Sequence, residues 1–220
     1  MRILKFLLLS FLGLVVALAG GVAVYLTSLD EEDVKRIVAE QVQKATGRTL
    51  TIAGPLTYEL SWEPKIRLED VRFQNATWAG DEDMVSVGTM ELDLDLNRVF
   101  DGVVIVERLF LEHAKVNLQR EADGRANWLL GADEAGEDKD EETGPSRSSI
   151  FPVIESITLI DVDVVYSDKL EGQEHRVDID SVDLVAPDFE NPVEAIVKMS
   201  VNGKRIDVAG TLPPAVALGD

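Results

Sequence analysis

Residues 88 to 100, "GTMELDLDLNRVF", set Met90, Leu92, Leu94 and Leu96 on one side of an extended chain and Glu91, Asp93 and Asp95 on the other. A strand patterned this way keeps its acidic face in water and needs a cover for its leucine face. The alternation recurs with a fixed slip: apolar, x, apolar, x, x, apolar, x, apolar. It is met at Ile66/Leu68/Val71/Phe73, Val85/Val87/Met90/Leu92, Leu109/Leu111/Ala114/Val116, Ile157/Leu159/Val162/Val164 and Val177/Ile179/Val182/Leu184. Four-point matches arise by chance at this apolar content, so the weight rests on the first, second and fifth copies, where every intervening residue is polar or Gly. A change of alternation phase inside a strand is what a bulge produces, and the pattern predicts a sheet that bends at a similar depth in each strand. Two of the copies also align with each other over a longer stretch: "VERLFLEHAKVNL" from Val106 and "IESITLIDVDVVY" from Ile154 stay in the same apolar phase as one another.

Strands are expected at Thr49–Ile52, Leu56–Trp62, Ile66–Phe73, Met84–Leu96, Val103–Leu111, Lys115–Gln119, Ile154–Tyr166, His175–Leu184, Val193–Val201 and Arg205–Ala209. Gly54-Pro55, Asp101-Gly102, Glu171-Gly172 and Asn202-Gly203 separate them as turns, and short connections predict antiparallel neighbours. One amphipathic helix precedes them, from Glu31 to Ala45, with Val34, Ile37, Val38, Val42 and Ala45 at helical spacing. Asp30 is placed to cap its start, acidic residues fill its first turn, and Gly47 stands where a left-handed C-cap belongs. From Gly131 to Ser149 the sequence "GADEAGEDKDEETGPSRSS" has no periodicity and too little apolar surface to offset ordering entropy, so an acidic disordered loop is expected there.

Residues 6 to 26 carry no charge, and ~20 apolar residues is the length of a bilayer-crossing helix. Arg2 and Lys5 before this run, and Asp30, Glu31, Glu32 and Asp33 after it, place the N-terminus in the cytoplasm and the body outside. Ala17 and Ala19 offer a cleavage-site alternative, but the apolar run continues past them to Leu26. The chain thus divides into an anchor over 1–29, a helix and strands over 30–130, the acidic loop over 131–149 and further strands over 150–220. Its 41 acidic against 21 basic residues give a formal charge of −20, which repels phosphate backbones and argues against nucleic acid as a partner.

The residues offer little chemistry. Cysteine is absent, so there is no disulfide framework, thiolate metal site or cysteine nucleophile. His113 and His175 lie in strand patterns among charged neighbours and read as surface residues. Asp161, Asp163 and Asp168, with Asp178, Asp180 and Asp183, alternate along strands rather than crowding a tight turn with a central Gly, so they do not form a calcium loop. No nucleophile elbow, P-loop or dinucleotide fingerprint is present, and neither enzyme activity, cofactor nor metal is expected. Asn75-Ala76-Thr77 matches the glycosylation triplet, a frequent chance match. Trp62, Trp78 and Trp128 fall at strand ends or in loops, where loop packing is their expected role.

Four blocks in order, "ATGRTLTIAGPL" (45–56), "IRLEDVRFQNA" (66–76), "MVSVGTMELDLDL" (84–96) and "VERLFLEHAKVNLQREADGRANW" (106–128), resemble the N-terminal region of the AsmA family of bacterial envelope proteins. The resemblance is close to about residue 130 and looser beyond. It implies an inner-membrane protein with a periplasmic body whose strongly twisted, curved antiparallel sheet forms an open apolar groove. It also implies a role in outer-membrane assembly and in moving phospholipid between membranes. Roughly ten strands at ~4.8 Å each span at most ~50 Å, so bridging an envelope would need partners or further residues.

Two coverings of the leucine face then stand side by side. In the first, Leu92, Leu94, Leu96, Val104, Val106, Val116, Leu118, Val162 and Val164 line a groove for phospholipid acyl chains, and the helix plugs one end. In the second, the strands close into a sandwich that binds no lipid and recruits other envelope proteins through its sheet edges. A fifteen-residue helix, about 22 Å long, is too short to cover the whole sheet in either case.

Overall fold

The structure is a computed structural model that describes residues 30–59, 61–97, 103–130, 151–186 and 191–213; of residues 103, 104 and 151–153 only the backbone is described. The expected anchor and acidic loop fall outside the described residues. Among the described residues, no helix is long and apolar enough to cross a membrane.

Helix α1 (Glu31–Thr46) has the ends its sequence announces. The Asp30 carboxylate accepts the Asp33 N–H at 2.9 Å, and Gly47, at φ 74°, donates its N–H to the Gln43 carbonyl at 2.8 Å. Val42 on its apolar side is fully buried. The Glu31 carboxylate accepts the Leu56 N–H at 2.7 Å, which ties the first turn to the adjoining strands.

The strands are β1 (Leu50–Ile52), β2 (Leu56–Glu59), β3 (Lys65–Phe73), β4 (Val85–Asp95), β5 (Val103–Arg120), β6 (Phe151–Ile154), β7 (Ser156–Asp168), β8 (Gln173–Val185), β9 (Val193–Val201) and β10 (Lys204–Leu212). They form one open sheet in the order β1-β3-β4-β5-β7-β8-β9-β10, with β2 also on β3 and β6 also on β5. The corner from β1 to β2 lies hard against β3. A Cβ on Gly54 would stand 2.6 Å from the Glu69 carbonyl oxygen, and only glycine admits that approach.

One expectation is corrected: the sheet is not antiparallel throughout. Strand β5 pairs with β6 and β7 in parallel. Parallel neighbours need a connection of a dozen residues or more, and the long stretch between Arg120 and Phe151 supplies it. The register of this pairing is informative. Val106 faces Ile154, Leu109 faces Ile157 and Val116 faces Val164, so the two stretches that share an apolar phase lie side by side in the alignment their sequences show.

The slips become a line of bulges. Asp70, Gly88, His113, Asp161 and Asp180 are each passed over by the register, and each stands opposite the next across β3, β4, β5, β7 and β8. Asp70, His113 and Asp161 have φ of 49°, 54° and 51°, a left-handed turn within an otherwise extended strand. Each extra residue restores the phase, so Val85 and Val87 lie on the same face as Met90 and Leu92.

That face carries the core. Met84, Met90, Leu92, Leu94 and Val106 are all at or below 1% exposure, and Val71, Phe73, Leu109, Leu118 and Val162 are buried with them. Burial fades toward β10, where Val208 is 51% and Leu212 47% exposed. The opposite face is ionic: Arg108 reaches Glu91 at 2.7 Å and Asp93 at 3.1 Å, and Arg67 pairs with Glu69 and Glu91.

Candidate functional site

The apolar face is the site to consider, because the register brings nearly all the sequence-predicted lining residues onto it. Leu92, Leu94, Leu96, Val106, Leu118 and Val162 are buried in one cluster, with Val116 and Val164 partly buried against it. Val104 lies in β5, but its side chain is outside the described residues. These positions differ in what can reach them. Leu94 and Val106 have no exposed surface, so protein already covers them.

The accessible part lies further along the sheet. Val197 faces Val182 on β8 and Val208 on β10, and Met199 faces Ile179 and Ile206. Val197, Met199 and Ile206 are half-buried, and Val208 is exposed. The alternation of β9 and β10 carried this signal in the sequence. The helix lies at the other end, against β1 and β2.

Helix α1 packs against β1 and β2, and below it a polar cluster locks the closed end. Asn127, with no exposed surface, donates to Asn75 Oδ1 at 2.9 Å and the Asn117 carbonyl at 2.7 Å, and accepts the Gln119 N–H at 2.8 Å. The buried Arg48 guanidinium donates to the Asn127 carbonyl and, at 3.4 Å, to the Leu129 carbonyl. Arg125 is held by Asp123 at 2.7 Å and lies 5.3 Å from the Trp78 ring centroid. The "DGRANW" stretch is therefore a clasp. It joins the β5 exit to the β3–β4 connection, and it buries Asn75 of the glycosylation triplet.

The two long margins of the face, formed by opposite strand ends, differ chemically. At one margin Trp128, Tyr166 and His175 form a row, with ring centroids 5.8 Å and 6.3 Å apart. The Tyr166 hydroxyl donates to Asp168 at 2.8 Å, and burial, then this carboxylate, raise its pKa. Burial pushes the Asp168 pKa up, but N–H donation from Glu171, the Tyr166 hydroxyl, N–H donation from Leu170 and the charge of Arg120 outweigh it, so the carboxyl stays below its usual range. At the other margin Glu107 lies near Glu63 and Glu155, with Asp95 and Asp93 close by on the ionic face; burial first, then these charges, raise its pKa.

His113 is exposed, with Nε2 3.6 Å from Asp161, and His175 belongs to the aromatic row. Among the described residues no group of three or more His, Asp or Glu side chains is arranged to hold a metal ion.

No curated protein matches the chain. The sequence model of the AsmA family matches residues 1–212, nearly the whole length, and the chain belongs to the AsmA family.

Proposed function

We propose that this protein holds phospholipid acyl chains against the open part of its apolar face, as an inner-membrane-anchored periplasmic component of outer-membrane assembly and envelope lipid homeostasis. AsmA family proteins are envelope-associated, and membership suggests a role in envelope assembly or lipid transport. The observation that carries the reading is the fading of burial along one continuous apolar face, from Leu94 at 0% exposure to Val208 at 51%. A closed sandwich would bury β9 and β10 as deeply as β4. Each methylene covered there contributes about 0.8 kcal/mol without regard to lipid species, which suits a carrier of mixed phospholipid. Other envelope proteins are proposed to join through the β10 edge, since the opposite edge is short and lies beside α1.

The test is native mass spectrometry with lipid extraction on the full chain purified from membranes in a mild detergent. Val197→Asp with Val208→Asp, on paired positions of β9 and β10, should abolish co-purifying phospholipid while the protein remains folded. Equal lipid on the parent and the variant, or none on the parent, would refute the reading. Leu94 is unsuited to this purpose, because a buried charge there tests folding rather than binding.

A further inference from the structure

The margins of the apolar face give it a direction. We infer that a bound phospholipid lies with its phosphate headgroup at the margin formed by Trp128, Tyr166 and His175, and its acyl chains directed from there across the face. The inference rests on the acyl-chain reading above and adds which end of the site the headgroup takes.

Three observations converge on it. The first is the aromatic row itself. Trp128 and Tyr166 pack against the apolar cluster while Tyr166 keeps its hydroxyl on Asp168, and His175 stacks on Tyr166 at an interplanar angle of 8°. Rings with an apolar body and a polar tip suit a boundary between hydrocarbon and water, where a glycerol backbone sits.

The second is the placement of cations. By register Arg120 shares the face of Leu118, and Lys204 shares the face of Val201 and Met199. Both therefore stand on the apolar side at this margin. Arg120 is 3.5 Å from Asp168 and its side chain is 38% exposed, so part of its guanidinium charge is open to the solvent side of this margin. Lys204 has no ion pair among the described residues.

The third is the opposite margin. Glu63, Glu107 and Glu155 stand at that end of the strands, and Asp95 and Asp93 add their charge from the ionic face close enough to raise the Glu107 pKa, so a phosphate at this end would meet repulsion. Trp62, 59% exposed, marks that end: its carbonyl accepts the Leu96 N–H at 2.8 Å, whereas Trp128 follows Asn127 at the far end of β5. The two indoles are separated by roughly 40 Å of strand, since about thirteen residues at ~3.3 Å lie between their levels.

That spacing makes the direction measurable. The detergent-solubilised full chain would be prepared with Trp128 alone (Trp62→Phe with Trp78→Phe) and with Trp62 alone (Trp78→Phe with Trp128→Phe). Each is titrated with phosphatidylcholine bearing a nitroxide on the choline, and separately with phosphatidylcholine bearing one on an acyl chain. The headgroup nitroxide should quench Trp128 at least about twofold more than Trp62, because nitroxide quenching is lost over a few side-chain diameters of the ~40 Å separation. Equal quenching, or stronger quenching of Trp62, overturns the direction while the acyl probe still reports binding. Absence of quenching by the acyl probe at both indoles overturns the acyl-chain reading and the direction with it. Should a tryptophan variant fail to fold, Leu170→Cys and Ser61→Cys, both exposed, carry a fluorophore to the same two margins, and the absence of native cysteine makes that labelling specific.

Discussion

Deleting Asp161 should cost far more than replacing it, although its side chain is exposed. Asp161 is the extra residue of β7, at φ 51°, and residues on either side of it keep their apolar side chains on one face because of it. Removing it while Ser156–Ile160 hold their partners turns the rest of the strand over. Val162, 5% exposed, and the partly buried Val164 and Tyr166 move to the ionic face, and Asp163 and Val165 move to the apolar one. Full burial of such side chains is worth about 1.5–3 kcal/mol each. Because two of the three are only partly buried and Val165 gains cover in exchange, about 3–4 kcal/mol is lost from the apolar side, and desolvating Asp163 adds about 2 kcal/mol or more. A total of about 5 kcal/mol or more approaches the whole stability of an ordinary domain. Asp161→Gly keeps the bulge. It relieves a left-handed Cβ worth about 1 kcal/mol and costs about as much in chain entropy, so its stability should stay within about 1 kcal/mol of the parent. Urea unfolding of the full chain in mild detergent, followed by far-ultraviolet circular dichroism, reads both. A deletion variant that unfolds at the parent's midpoint would refute the bulge argument.

Two further outcomes follow from single sites. Glu107 has a raised pKa, so the folded state holds its proton more tightly than the unfolded chain does, and the group's contribution to stability falls as pH rises through the folded value. Glu107→Gln should therefore raise the urea midpoint at pH 7, with the gain vanishing below the ordinary carboxylate range; a gain that persists at low pH would contradict this. Asn127→Ala strips partners from Asn75, Asn117 and Gln119 in a buried setting and should cost about 3 kcal/mol or more in the same assay, and a loss below about 1 kcal/mol would show the clasp to be dispensable.

Much of the fold was legible because it is written in periodicity. The phase slips at Glu69-Asp70, Glu112-His113 and Ile160-Asp161 mark the bulges, and Asp30 and Gly47 mark the helix ends. The shared phase of Val106–Leu118 and Ile154–Tyr166 reflects strands that lie side by side, yet the sequence could not say that they run parallel. Composition predicts a long connection after Arg120 but not the side of the sheet to which it returns. Burial depth was not legible either. Leu94 and Val208 sit in equally regular alternations, and only the position of α1 and its neighbours separates a sealed core residue from an open one. Arg48 and Asn127 escaped notice because a lone polar residue carries no period; its burial depends on backbone groups brought from distant segments.

The line of bulges also has a mechanical meaning. Asp70, Gly88, His113, Asp161 and Asp180 interrupt the pairing at one level across five consecutive strands of the sheet, which forms a crease from β3 to β8, while the β9–β10 ladder passes that level unbroken. Bending stiffness in a sheet comes from continuous cross-strand pairing, and it is lowest where pairing skips. The crease runs across the strands, between the aromatic margin and the acidic one. A bend along it sets the angle between the two margins from β3 to β8 without costing a ladder pair on either side, while the unbroken β9–β10 pair keeps the open part of the apolar face in one piece.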